Sequence, residues 1–182
     1  MPVYDLPAID NIKEDGTKRF AKSSRKHGCF HVVDAANGAA ALQKIALSPV
    51  VVIAEGYATA ATIAKHGKVP ALAAYDSGNL LSVATALQQR YPDKAIIIAG
   101  DDDHRTENNP GREKGLAAAE AVAGVAIFPN LSAEQRAQGL TDFNDLAIHN
   151  PEVVSRQLDE VLQGVREQGR AATQSVELAP AV

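Results

Sequence analysis

From Val50 onward the apolar positions fall into short continuous runs separated by longer amphipathic stretches. Val50 to Ala54, Ala71 to Tyr75, Ala95 to Ala99 and Val125 to Phe128 are unbroken runs, the pattern of strands covered on both faces. Between them the period changes. Tyr57 to His66 reads as a helix stopped by Gly67. Ser77 is placed to cap a helix carrying Leu80, Val83, Ala84 and Leu87 at helical spacing, ending before Pro92. Pro110 to Ala123 reads as a third helix, with Gly124 just past its end. Four such alternations predict an α/β architecture: a four-stranded parallel sheet flanked by helices.

The two ends of the chain differ from this middle. Ile9 to Val33 holds an Asp15-Gly16 pair, Gly28 and the alternating run Cys29-Phe30-His31-Val32-Val33, which predicts short strands joined by turns. Asn37-Gly38 marks a further turn before a short helix from Ala39 to Leu47. At the other end, Thr141 is placed to cap a short helix holding Phe143 and Leu146. Asn150-Pro151 opens another, with Val154, Leu158, Val161, Leu162 and Val165 on one face. The expected organisation is therefore a small β-rich N-terminal lobe over 1–48, an α/β domain over 49–149, a C-terminal helix over 150–168 and a flexible tail over 169–182.

Composition narrows the picture only a little. With 46% hydrophobic and 22% charged residues in 182, the chain has the makeup of an ordinary globular protein. Its formal charge of -4 averages over an uneven distribution, because Lys13, Lys18, Arg19, Lys22, Arg25 and Lys26 crowd into one N-terminal segment. Cys29 is the only cysteine, which excludes an internal disulfide and a multi-cysteine zinc site and suits a reducing cytoplasm. His27 and His31 flank it at two-residue spacing, which is not a zinc-finger spacing, so Cys29 reads as a core residue. There is no signal-peptide pattern at the N-terminus and no apolar run near the ~20 residues that a membrane helix needs.

The acids carry the chemistry. Glu55 directly follows the first buried run, and Asp101, Asp102 and Asp103 follow the third. In open parallel sheets ligands bind beyond the carboxyl ends of strands. Extended backbone alternates its side chains, so Asp101 and Asp103 share a face while Asp102 points away. Three carboxylates brought together in this way suit Mg²⁺, which takes one or two carboxylates and keeps waters for substrate phosphates. Taken singly, each acid also fits a helix cap or a solvated turn.

The strings VVVIAEGYATA, ALAAYDSGNL, AIIIAGDDDHRTENNPGREKGLAAAEAV and TDFNDLA together resemble the Toprim family, most closely the branch found in primases of conjugative plasmids. The marks are an apolar strand ending in Glu-Gly, a later strand ending in Asp-x-Asp, and an Asn-Pro-Gly opening an Ala-rich helix. A closing Asp-x-Asn-Asp-Leu completes the set, in order across Val50 to Leu146. The segment DGTKRFAKSSRKHGCFHVV resembles the lobe that precedes Toprim in such primases. The resemblance implies a Toprim-like fold, with Glu55, Asp101 and Asp103 as the catalytic, metal-holding acids and Asp142 and Asp145 as outer contributors. Asp142 equally suits a helix cap. A third aspartate between the paired acids and a long polar loop from His104 to Asn109 depart from the pattern.

The implied activity is Mg²⁺-dependent nucleotidyl transfer (Mn²⁺ being the alternative ion) on a single-stranded DNA template with NTPs as substrates. In it a 3′-hydroxyl attacks the α-phosphate of the incoming nucleotide. Glu55 is either a ligand or the group that orients the nucleophile. Lys18, Arg19, Lys22, Arg25 and Lys26 would contact template phosphates or the triphosphate, with a solvated basic surface as the alternative. The competing readings are a Toprim nuclease or topoisomerase module and a non-catalytic nucleic-acid-binding module. No zinc ribbon and no GxxxxGK loop occurs, so template recognition and helicase action would come from other domains or partners.

Overall fold

The computed structural model describes residues 9–12, 18–20 and 25–177, with side chains described from 25 to 168. Strands β1 (Ile9–Ile12) and β2 (Lys18–Phe20) pair antiparallel as a sheet of their own, with a register irregularity between Ile9 and Asn11. The larger sheet has five strands in the order β3-β5-β4-β6-β7. They are β3 (His31–Val32), β4 (Val50–Ala54), β5 (Ala71–Ala73), β6 (Ala95–Ala99) and β7 (Val125–Ile127). The four strands expected from the apolar runs are parallel, and β3 lies antiparallel on the edge beside β5.

All five residues of β4 are buried, and they alternate between two cores. Val50, Val52 and Ala54 join Ile97 and Ala99 on one face, packed by α2 (Tyr57–Gly67), α6 (Phe143–His149) and α7 (Pro151–Glu177). Val51 and Ile53 join Ile96 and Ile98 on the other, packed by α1 (Gly38–Leu47), α3 (Leu80–Arg90) and α4 (Pro110–Ala121). Each fully buried isoleucine or valine contributes roughly 1.5–3 kcal/mol through the water it sheds. The helix after β4 thus crosses one face while the helix after β6 crosses the other. The strand order therefore reverses between β4 and β6, and a crevice opens at their carboxyl ends.

Several local expectations change. The Cys29–Val33 run, read as part of the N-terminal lobe, instead supplies the edge strand of the main sheet. Phe30 and Val32 bury themselves against Ile45, Leu72 and Leu80. The buried Asn79 amide fixes this join, donating to the carbonyls of Cys29 and Ala74 at 2.9 Å each and accepting from the Gly28 amide at 2.8 Å. Ser77 opens a 3-10 turn to Asn79 rather than capping α3. Helix α2 stops at Lys68, which takes the left-handed conformation (φ 49°), while Gly67 lies inside the helix. A β-carbon at Gly67 would come within 3.4 Å of Leu162 and 3.5 Å of Leu158, so this glycine serves the packing of α2 on α7. Asp142, not Thr141, caps α6. A helix absent from the sequence reading, α5 (Ala133–Gln138), starts on a capping box between Ser132 and Gln135. Finally, α7 continues through the expected tail as far as Glu177.

Candidate active site

β4 and β6 are neighbours in register, Ala54 opposite Ala99. Glu55 follows Ala54 directly and Asp101 stands two residues past Ala99, so both leave the sheet at its carboxyl edge from adjacent strands ~4.8 Å apart. Both are partly buried. This is the crevice where the strand order reverses, the position that open α/β sheets use for ligands.

The three aspartates of the loop after β6 have three different surroundings. Asp102 turns inward, as alternation requires, and is only 1% exposed. Its Oδ1 accepts from Asn109 Nδ2 at 2.7 Å, its Oδ2 pairs with Arg136 at 2.6 Å, and Arg112 stands 3.7 Å from Oδ1. Its own amide donates to the Thr141 carbonyl at 2.7 Å, tying the loop to the turn before α6. Asp103 points to the start of α4, where its Oδ2 accepts from the Gly111 amide at 2.9 Å. A β-carbon on residue 111 would sit 2.7 Å from the Asp101 carbonyl oxygen and 2.9 Å from that same Oδ2. Glycine is what lets the α4 N-terminus approach the acidic loop. Asn109 caps α4 through its side-chain oxygen, in the left-handed conformation that asparagine tolerates. His104 sits between two carbonyls, Nδ1 2.8 Å from Asp102 O and Nε2 2.9 Å from Arg136 O.

Among the described residues no three His, Cys, Asp or Glu side chains are grouped closely enough to hold a metal ion. The chemistry of the donors at the crevice is nonetheless that of a hard cation. Glu55 and Asp101 bring carboxylate oxygens alone, and Mg²⁺ needs no more than one or two carboxylates. Asp142 and Asp145 both accept from backbone amides at the start of α6. Asp142 Oδ1 accepts from the Asp145 amide at 2.7 Å, and Asp145 Oδ2 accepts from the Thr141 amide at 2.9 Å. The second oxygen of Asp142 takes the Thr59 hydroxyl of α2 at 3.0 Å. Burial raises the Asp142 carboxyl above its ordinary value, more than these hydrogen bonds lower it.

Of the basic residues, Lys18 and Arg19 belong to the backbone of β2, and Lys22 lies outside the described residues. Arg25 is exposed and donates to the His27 carbonyl at 3.2 Å. Lys26 pairs with Asp76, just past β5. That contact attaches the end of the basic segment to the same sheet edge as Glu55 and Asp101. Asp76, Arg112, Arg136 and Asn109 were not among the sequence-predicted residues. Only Asn109, in the Asn-Pro pair opening α4, carries a local signal for its role. A cavity of about 680 Å³ between α5, α6 and the start of α7 is lined by none of the candidate acids. Strand-end placement, not cavity size, marks the site.

The chain belongs to the Toprim family, whose Toprim domain matches residues 50–150. It is similar to two Escherichia coli proteins named DNA primase TraC, 50% and 56% identical over 137 residues, or 71% of this chain. The matched part spans only 12% and 9% of those proteins, so the chain corresponds to about a tenth of their length. No solved structure matches it. No helix among the described residues is long and apolar enough to cross a membrane.

Proposed function

We propose that this chain is the catalytic Toprim part of a DNA primase, joining NTPs into primers on a single-stranded DNA template in the cytoplasm. The observation that supports the reading is that Glu55 and Asp101 follow the ends of adjacent strands, where the strand order reverses, in a chain of this family. Glu55 and Asp101 supply the oxygen donors, and Asp103 adds its second oxygen while the Gly111 amide holds the first. Magnesium, or manganese in its place, supplies charge neutralisation on the substrate phosphates when bound.

The residues of the chain do the rest. Asp102, locked by Arg136 and Asn109, holds the loop so that its two neighbours face the crevice. Asp142 and Asp145 brace α6 against α2, the helix that begins beside Glu55. The basic segment through Lys26 brings cationic charge to an edge that would otherwise repel a polyanion. Glu55 holds either the ion or the attacking hydroxyl, and a glutamine substitution at that position separates the two. As a ligand it changes metal affinity; as an orienting base it changes the rate and leaves metal affinity alone.

The test is primer synthesis on single-stranded DNA with NTPs and Mg²⁺ or Mn²⁺, beside a nuclease control on the same strand. Glu55→Gln and Asp101→Asn are each expected to lower synthesis about 100-fold, since several kcal/mol of charge stabilisation is lost. Metal-dependent cleavage without synthesis would replace the primase reading with a nuclease one.

A further inference from the structure

We propose that the cavity at the carboxyl end of β7 is a phosphate-binding site in which Arg112 and Arg136 hold the anion. The cavity, about 360 Å³, is lined by Arg112, Arg136, Asn130, Gln157 and the Ala126–Pro129 segment. No acidic residue lines it. In a chain of net charge -4, an open cavity with two guanidinium groups and no carboxylate in its lining is suited to negative charge.

Charge accounting supports the same reading. Both arginines pair with the single buried carboxylate of Asp102, and among the described residues neither has another ion-pair partner. One carboxylate satisfies one guanidinium, so the cluster keeps a surplus positive charge. The surplus falls to Arg112, which stands at 3.7 Å from Asp102 while Arg136 is at 2.6 Å. Arg112 and Arg136 remain 46% and 38% exposed, so their remaining N–H donors are open to a ligand. Arg112 also lies over the Phe128 ring, 4.3 Å from its centroid, which holds the guanidinium against the cavity wall. A planar, fixed fork of donors is the geometry that recognises phosphate oxygens.

The far wall is equally fixed. Gln157 donates to the Phe128 carbonyl at 2.6 Å and accepts from the Asn130 amide at 3.2 Å. Asp102 lies between Asp101 and Asp103 in the chain, so the two arginines that would grip a phosphate also hold the acidic loop. The ligand class rests on the nucleotidyl-transfer reading: the phosphates are those of a nucleotide or of a nucleic-acid backbone.

Binding of inorganic pyrophosphate to the full chain, measured by calorimetry in EDTA, tests the site without any metal. Arg112→Gln leaves Asp102 paired with Arg136 and is expected to weaken pyrophosphate about tenfold, the loss of one charge-assisted hydrogen bond. Asn130→Asp puts a negative charge on the exposed wall with almost no change of shape, and is expected to weaken it severalfold. An oligo-dT arm separates the sources. If the phosphates are those of the backbone, Arg112→Gln lowers the salt slope of oligonucleotide binding by ~0.7. If they are those of a nucleotide, NTP and pyrophosphate weaken while the oligonucleotide does not. Absence of binding in the unsubstituted chain, or unchanged affinity for all three ligands in both variants, overturns the site. The two proposals fail separately. Lost primer synthesis with intact, variant-sensitive pyrophosphate binding would count against the primase reading alone. Insensitive binding with active, Glu55-dependent synthesis would count against this site alone.

Discussion

The loop after β6 and the turn before α6 are both rich in aspartate, and they use it in opposite ways. At α6, Asp142 and Asp145 are taken up by backbone amides and a threonine hydroxyl, which makes them a helix cap. After β6, one aspartate is paired with arginines, one is held by an amide through a single oxygen, and one follows the end of β6 next to the strand that Glu55 follows. An acidic motif is therefore not a site by composition. What separates the two regions is position: the first group caps a helix within its own turn, whereas the second follows the carboxyl end of a central strand.

The sharpest way to break the comparison is to remove the buried member of the loop. Asp102→Ala removes the carboxylate that Arg136 and Asn109 share, and is expected to cost about 3 kcal/mol in urea unfolding, two hydrogen bonds to a charged group at about 1.5 kcal/mol each. A loss below about 1 kcal/mol would mean that the arginines do not depend on this carboxylate.

Next comes the response to metal. If the crevice holds Mg²⁺, saturating to 100 times Kd raises stability by about 2.7 kcal/mol, read as an upward shift in melting temperature. Asp101→Asn is expected to abolish that shift while slightly stabilising the metal-free protein, because a crowded negative charge is gone. Asp142→Asn is expected to keep the shift. An equal loss in both variants would erase the distinction between the two regions.

The smallest effect concerns pH. The folded Asp142 carboxyl is raised above 3.8 by burial. Its protonated form is favoured in the native state, so this contribution is fully present below 3.8 and is lost as pH rises through the raised folded value. Asparagine still caps helices well, so Asp142→Asn should keep the cap and flatten this part of the profile. Melting temperatures of both proteins from pH 3 to pH 7 check it. Parallel curves would show that Asp142 contributes no pH dependence.

Much of this was legible in the sequence because burial on two faces writes itself as unbroken apolar runs. β4 to β7 all fall on such runs, and the inward turn of Asp102 follows from strand alternation alone. The placement of Glu55 and Asp101 at strand ends follows once the runs are read as strands, whereas the adjacency of those two strands comes from the sheet order. What was hidden depends on partners distant in the chain. Nothing local tells that Arg136 meets Asp102, or that Asp103 spends an oxygen on Gly111. The alternating run around His31 gives a strand but not its sheet, and Asn79 ties its first residue, Cys29, from fifty residues away. Helix α5 has only six residues, too short for a periodicity to show, though its capping box was readable. The extension of α7 past Gly169 reflects cooperative propagation from a packed helix rather than any pattern in the extension itself.

The Gln157 side chain has a consequence for assembly. A sheet edge is a template on which another strand can add, and this sheet has two edges. β3 occupies the one beside β5. On the other, β7 is only three residues long and Pro129 follows closely, which removes a donor from any extension. Gln157 then bonds the Phe128 carbonyl and the Asn130 amide through its two ends, doing for the backbone there what a neighbouring strand would do. A side chain from α7 thus serves as a one-residue mock strand. It leaves little open ladder past β7 for an unrelated chain to join, guarding the domain against edge-to-edge aggregation at that margin.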